Sequence, residues 1–339
     1  MGTVYRATSP TGRKVALKIP RALDDQAKIA LADEARMGKR LKHPAIVETI
    51  DFFEHKGKSV LVTEYVEGAN LWQLRERVGA LPAHAVAAVG LEVASALEMI
   101  HGAVDDDGRP LHMVHRDVSP GNVVIDNEGQ ARLIDLGIAR SPERKQDATK
   151  KGLVKGTFRY LAPEILEGGQ HTQSTDLWAL GLTLWEAALG RYAVVGKTTQ
   201  TMRAVLDGSV TTLHTGERVE PELKAALLSL VAPFERRLKN ALVTKTLFHR
   251  LVREQPGGRD VLALVVRAYL SGAPVDGLAL DATEQIERNV SGGLATMPPT
   301  EEGAATEAAP LPDVTRPLPT RKRPLPDVTR PEDLPKRRR

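Results

Sequence analysis

His115-Arg116-Asp117-Val118-Ser119-Pro120-Gly121-Asn122 is followed, thirteen residues after Asn122, by Asp135-Leu136-Gly137. Between them lie a β-branched run, Val123-Val124-Ile125, a turn cluster, Asp126-Asn127-Glu128-Gly129, and a second apolar run, Ala131-Arg132-Leu133-Ile134. That order predicts a β-hairpin. A hairpin of this length brings Asn122 and Asp135 side by side at one end, close to Asp117. Two oxygen ligands beside a free carboxylate suit a Mg²⁺–phosphate site, because Mg²⁺ takes hard oxygen donors and shares its shell with substrate phosphates.

Upstream of this stretch the chain reads as strands around one helix. Residues 1–7 and 14–19 flank the turn Ser9-Pro10-Thr11-Gly12, and residues 25–41 carry a helical period that stops before Pro44. Residues 46–53 and 59–65 read as two more strands, with a break at Gly68. Beyond Leu81 the character turns helical. A long alanine-rich helix is expected over 82–100, and others over 173–189, 222–230, 238–253 and 260–270. The run Asp105-Asp106-Asp107-Gly108 reads as a solvated turn insertion, because no bidentate Glu follows at the distance a Ca²⁺ loop requires. Strands first and helices afterwards give an α+β fold in two lobes.

Composition narrows the class. The 339 residues leave ample room for a core, and 42% hydrophobic with 27% charged residues is ordinary for a globular protein. The chain has no cysteine, which excludes disulfides and thiolate metal sites. No uninterrupted apolar run reaches membrane length and no signal pattern opens the chain, so no membrane segment and a cytoplasmic location are expected. The net charge of +4 is an average over unlike parts. Residues 311–339 hold nine Lys or Arg against four Asp or Glu, so the remainder is close to neutral. A near-neutral globular part argues against nucleic acid as its main partner, and the terminal Lys336-Arg337-Arg338-Arg339 reads first as a solvated run. The tail repeats Pro-Leu-Pro-Asp-Val-Thr-Arg-Pro at 310–317 and 324–331. So short a proline-rich repeat cannot stack, and residues 273–339 are expected to be disordered.

The catalytic-loop and metal-loop residues quoted first resemble those of protein kinases, in particular bacterial Hanks-type (eukaryotic-like) serine/threonine kinases. The resemblance covers about residues 1–272 and implies a bilobal kinase-like domain. A small β-rich N-lobe would occupy about 1–66 and a helical C-lobe 67–272, with ATP in the cleft between them. It implies transfer of the ATP γ-phosphate to protein Ser or Thr hydroxyls, with ATP and Mg²⁺ as cofactors. Val15-Ala16-Leu17-Lys18 is similar to the kinase Val-Ala-Ile-Lys strand, so Lys18 would hold the α- and β-phosphates and pair with Glu34. Asp117 would be the catalytic base, and Asn122 and Asp135 would hold the metal. Gly2, Val4, Ala16, Val124, Glu64 and Val66 would border the nucleotide, with Thr63 at the back of the pocket.

Gly156-Thr157-Phe158-Arg159-Tyr160-Leu161-Ala162-Pro163-Glu164 resembles the end of the kinase activation segment. By that likeness Thr157 contacts Asp117 and marks Ser/Thr specificity, and Glu164 pairs with a later arginine, for which Arg259 is the candidate. Asp176, in Asp176-Leu177-Trp178-Ala179-Leu180-Gly181, would brace the catalytic loop. Arg116 implies control by phosphorylation, with Thr149 as first acceptor and Ser141 as second. Thr315 and Thr329, one in each tail repeat, are candidate self-phosphorylation sites.

Two departures stand against the family pattern. Ser119 occupies the place where such kinases carry a lysine that contacts the γ-phosphate. The glycine-rich loop reads only from its last glycine, Gly2-Thr3-Val4, so the N-lobe is expected to lack its first strand and the chain to be truncated within that loop. An alternative reading follows, a pseudokinase or scaffold that keeps the fold for protein contacts.

Overall fold

A computed structural model describes residues 2–20, 25–137, 157–194, 196, 198–208, 210 and 219–273. Period-two alternation sorts the residues of the first sheet onto two faces. Its strands are β1 (Gly2–Thr8), β2 (Lys14–Pro20), β3 (Thr49–His55) and β4 (Lys58–Glu64), antiparallel in the order β1-β2-β4-β3. Val15, Val60 and Val62 form a small apolar cluster on one face, with Leu17 and Ile19 packed against it. On the other, Ala16 stands opposite Thr63 and Lys18 opposite Leu61, while Val4 pairs with Lys18 across the β1–β2 ladder. Helix α1 (Asp25–Gly38) packs Leu31 and Ala35 against Leu61 and Phe52. Strand β1 is the edge of this sheet, and its Val4 and Tyr5 are more than half exposed.

The run 46–53, expected to be one strand, divides between the lobes. Ile46 bridges in parallel to Leu133 and Val47 N–H donates to the Leu133 carbonyl at 3.0 Å, while β3 itself begins at Thr49. Backbone hydrogen bonds to the second sheet outbid the propensity of a continuous β-branched stretch.

That second sheet contains β5 (Gly68–Asn70), β6 (Val123–Asp126) and β7 (Ala131–Leu133), in sequence order and antiparallel. Asn70 then caps α2 (Leu71–Val78): its side chain accepts from Gln73 N–H at 2.8 Å and Gln73 returns the bond to Asn70 N–H at 2.9 Å. Helix α3 (Ala83–His101) follows, then the short α4 (Pro163–Leu166), α5 (Gln173–Leu189), α6 (Thr198–Leu206), α7 (Pro221–Leu230), α8 (Ala241–Glu254) and α9 (Gly258–Ser271).

One continuous core runs through these elements, from Leu41 to Val266. Helix α5 is its centre. It is buried on every side from Ser174 to Ala187, and Leu177, Leu180, Leu182, Leu184 and Trp185 have no exposure. Among the described residues one helix, α3, is long and apolar enough to cross a membrane, and two thirds of it is buried inside the protein. The architecture is α+β, a β-rich small lobe and a helical large lobe. The tail repeats, Thr315 and Thr329 lie outside the described residues.

Candidate active site

The loop that carries Asp117 is held from beneath by Asp176 on α5. Asp176 Oδ2 accepts from His115 N–H at 2.7 Å and lies 2.8 Å from His101 Nε2, and Oδ1 accepts from Arg116 N–H at 2.8 Å. Burial opposes the Asp176 charge, yet the His101 bond, the neighbouring His115 and the Arg116 N–H outweigh it and hold the carboxyl below its usual range. Two adjacent amides can converge on one carboxylate only if the chain bends sharply, and Arg116 adopts φ 68°. This left-handed backbone is unfavourable for a side chain as long as arginine and persists because the bonds to Asp176 fix it. His115 has no exposed surface and faces the loop interior.

Asp117 is half-buried, and Asn122 ties to it. The Asn122 amide Nδ2 donates to the Asp117 carboxylate at 2.9 Å and to its backbone carbonyl at 2.7 Å. Both amide hydrogens are thus turned toward Asp117, which leaves the amide oxygen Oδ1 as an acceptor for a cation. Ile134 N–H donates to the Asn122 carbonyl at 2.9 Å, so the β6–β7 hairpin sets Asp135 beside the catalytic loop. Gly137 makes the crossing possible. Its N–H bonds the His115 carbonyl at 3.0 Å, and a Cβ there would fall 2.6 Å from that oxygen and 3.0 Å from Asp117 Cβ.

From the small lobe Lys18 reaches the same place. Its Nζ lies 2.8 Å from Glu34 Oε1 and 2.9 Å from Asp135 Oδ1. Burial works against the ammonium, but Asp135 and Glu34 outweigh it and raise Lys18 above the ordinary lysine value, so it stays protonated. Asp135 itself sits at φ 56°, a second left-handed residue in the site.

A cleft of about 190 Å³ opens between the sheets. Val4, Ala16, Lys18, Glu34, Thr63, Glu64, Val66, Val124 and Asp135 line it, with Ile46, Leu61 and Leu133 that sequence reasoning had not singled out. Gly2 lies at the open end of β1, opposite Pro20, away from the lining. Thr157 begins a 3-10 turn, Thr157–Tyr160. Thr149 and Ser141 lie outside the described residues.

The donor set of the site is oxygen throughout: the Asn122 amide oxygen and the Asp135 and Asp117 carboxylates. Among the described residues no group of three or more His, Cys, Asp or Glu has metal-holding geometry. Few protein ligands, all oxygen, fit Mg²⁺, which completes its shell with phosphate and water, and do not fit a zinc cage.

The partner of Glu164 is Arg237, which corrects the expectation of Arg259. Arg237 Nη1 and Nη2 meet the two Glu164 oxygens at 2.6 and 3.1 Å, its Nε donates to Ala232 O, and its guanidinium stacks 4.7 Å from the Trp178 ring. Arg259 lies instead at the start of α9, where Nη2 bonds Gln130 at 3.0 Å. The missed signal was the turn begun by Pro233, whose carbonyl accepts from Arg237 N–H at 3.0 Å and aims the side chain inward. A second tie also went unread. Tyr160 O–H donates to Glu186 on α5 at 3.1 Å, and Arg75 Nη1 pairs with the same Glu186 oxygen at 2.8 Å. Burial drives Glu186 above the usual carboxylate range despite Arg75.

The protein kinase domain family model matches residues 1–256, three quarters of the chain. The chain belongs to the protein kinase family. It is 34% identical over 159 residues to the tyrosine-protein kinase MasK of Myxococcus xanthus, a match covering 46% of this chain and 24% of that protein. It is 34% identical over 201 residues to the serine/threonine-protein kinase pkn2 of Myxococcus xanthus, covering 56% and 23% respectively. A dual specificity mitogen-activated protein kinase kinase 1 of Dictyostelium discoideum is 28% identical over 190 residues, covering 56% and 27%. The matched stretch thus spans about a quarter of each of these relatives. Membership of this kinase family implies phosphotransferase activity, which the relatives' names divide among serine/threonine, tyrosine and dual specificity.

Proposed function

We propose that the chain is an ATP-dependent protein serine/threonine kinase, with a catalytic domain over about 1–272. One observation carries the reading: Lys18 of the small lobe bridges Glu34 and Asp135, while Asp117 and Asn122 are bonded to each other beside them. A protonated lysine facing a left-handed aspartate makes a charged slot for phosphate oxygens and their cation. Lys18 would bind and orient the α- and β-phosphates, Glu34 would hold Lys18 in place, and Asn122 Oδ1 with Asp135 would hold Mg²⁺. Mg²⁺, when bound, supplies neutralisation of the phosphate charge. Asp117 would accept the proton of the incoming hydroxyl, its orientation fixed by Asn122. The cleft lining from Val4 to Val124 suits an adenine ring, with the Glu64–Val66 backbone at its edge. Adenine and phosphate recognition together account for ATP.

Serine/threonine preference is supported by Gly156-Thr157 in the sequence and by the pkn2 relative, and the MasK relative is the reason to test it directly. Incubation with ATP, Mg²⁺ and peptides offering Ser, Thr and Tyr, followed by mass spectrometry, should place phosphate on Ser and Thr. Label on Tyr alone would overturn the specificity. Label on no peptide, and none on the chain itself, would favour the scaffold reading that Ser119 motivates.

A further inference from the structure

The three-acid insertion between α3 and the catalytic loop is a built hairpin. Val104 bridges to Pro110, Asp105 N–H donates to Arg109 O at 2.9 Å and Leu111 N–H to Ala103 O at 2.9 Å. Asp105 spends its Oδ1 inside the turn, accepting from Asp107 N–H at 3.0 Å and Arg109 N–H at 2.8 Å, and Asp107 pairs with Arg109 at 3.0 Å. Asp106 alone of the three points away. Its two oxygens take the two terminal nitrogens of Arg40 at 2.7 and 2.8 Å, the fork-to-fork geometry that fixes direction as well as distance.

Arg40 lies two residues past the end of α1, the helix that carries Glu34. The segment that follows is sunk in the large lobe: Leu41, Ala45 and Ile46 are buried in its core, and His43 Nε2 lies 3.1 Å from Ser95 on α3. The last residue of α1, Gly38, abuts Thr49 so closely that a Cβ would fall 2.2 Å from Thr49 Oγ1, with Leu136 of the metal loop 3.6 Å away. Glu34 stands one turn before Gly38. A displacement at this end of α1 therefore moves the Glu34 carboxylate relative to Lys18, and it has little slack to absorb the motion elsewhere.

We propose that Arg40 and Asp106 are positioning residues, a latch from the insertion hairpin of the large lobe to the end of α1 that keeps Glu34 bonded to Lys18. The inference rests on the kinase reading of the site for its consequence, but not for the latch itself. An isolated exposed ion pair contributes little because holding two long side chains costs entropy. Here the carboxylate is carried on a hairpin that its own Asp105 already stiffens, so most of that ordering is complete before Arg40 arrives.

The test uses the full chain with Arg40→Ala, Asp106→Ala, and the charge swap Arg40→Asp with Asp106→Arg. Amide hydrogen exchange over residues 27–38 reads the position of α1 without requiring turnover. Both single variants are expected to speed exchange there by about two- to fivefold, the range a well-placed exposed ion pair supplies, and the swap to return it toward wild type. In the kinase assay the singles should raise KM for ATP by a similar factor and leave KM for the peptide unchanged, with no further effect of Arg40→Ala in a Glu34→Gln background. Unchanged exchange in the singles, or a swap that fails to restore it, overturns the latch. A chain that transfers no phosphate yet shows the exchange pattern would retain the latch and refute the kinase reading.

Discussion

The two lobes are held together by different means. In the small lobe the apolar clusters are few and separate, Val15 with Val60 and Val62 on one face, Leu31 and Ala35 with Leu61 on the other. The large lobe has one core that encloses α5 from Ser174 to Ala187. The candidate site divides the same way. The large lobe fixes Asp117, Asn122 and Asp135 by backbone bonds and buried carboxylates, whereas the small lobe presents Lys18 and Glu34 through side-chain ion pairs. On the proposed kinase reading, phosphoryl transfer would be placed on the dense half and nucleotide binding on the sparse half.

The division can be broken at several points. Asp117→Asn keeps the bond partner of Asn122 but removes the base, so kcat should fall by about 10²–10⁴ with KM for ATP little changed. A steady-state assay at saturating peptide reads this directly. Arg237→Ala strips a buried guanidinium from Glu164 and should destabilise the large lobe by about 3–5 kcal/mol, measured by denaturant unfolding. If the midpoint does not move, that pair is not part of the core's support.

Glu92 on α3 sharpens the contrast through pH. Its carboxylate accepts from Ala131 N–H on β7, and burial pushes it up to about 7 despite Arg259 nearby. An unfolded glutamate ionises near its ordinary value of 4.5, so between there and pH 7 the unfolded chain sheds a proton that the folded one keeps. The contribution of Glu92 to stability is therefore greatest below that window and falls as pH rises through it. Glu92→Gln should flatten the fall, worth about 1–3 kcal/mol at pH 8, in unfolding curves taken from pH 4 to 8. The smallest effect belongs to the small lobe. Glu34→Gln should weaken ATP about tenfold, or about 1.4 kcal/mol, and leave the unfolding midpoint of the large lobe where it was. A calorimetric titration beside a melt separates the two.

Much of this arrangement was legible in the chain. Helix α5 spans the residues expected, because a polar cap at Thr172 and Gly190 bracket an apolar run that could only be buried. The β6–β7 hairpin and the approach of Asn122 to Asp117 followed from turn residues and spacing. What escaped notice was set by tertiary contact. Gly68 reads as a breaker, yet it is a strand residue, because the neighbouring strand lies so close that a Cβ would sit 2.0 Å from Ile125 O. Helix α2 was passed over although Asn70 and Gln73 carry its capping box, since eight residues give too short a period to stand out. Helix α6 went unread for a similar reason. Arg237 was hidden by distance, seventy-three residues from its partner with only a proline turn to mark it.

The claim at the centre is that Lys18 and Asp135, from opposite lobes, gather a nucleotide together with its cation. Calorimetric titration of ATP into wild type and Asp135→Ala, each with and without Mg²⁺, measures this whether or not phosphate is transferred. Mg²⁺ is expected to tighten ATP by at least about tenfold in wild type, or about 1.4 kcal/mol, and by almost nothing in the variant. An equal Mg²⁺ gain in both proteins would contradict it.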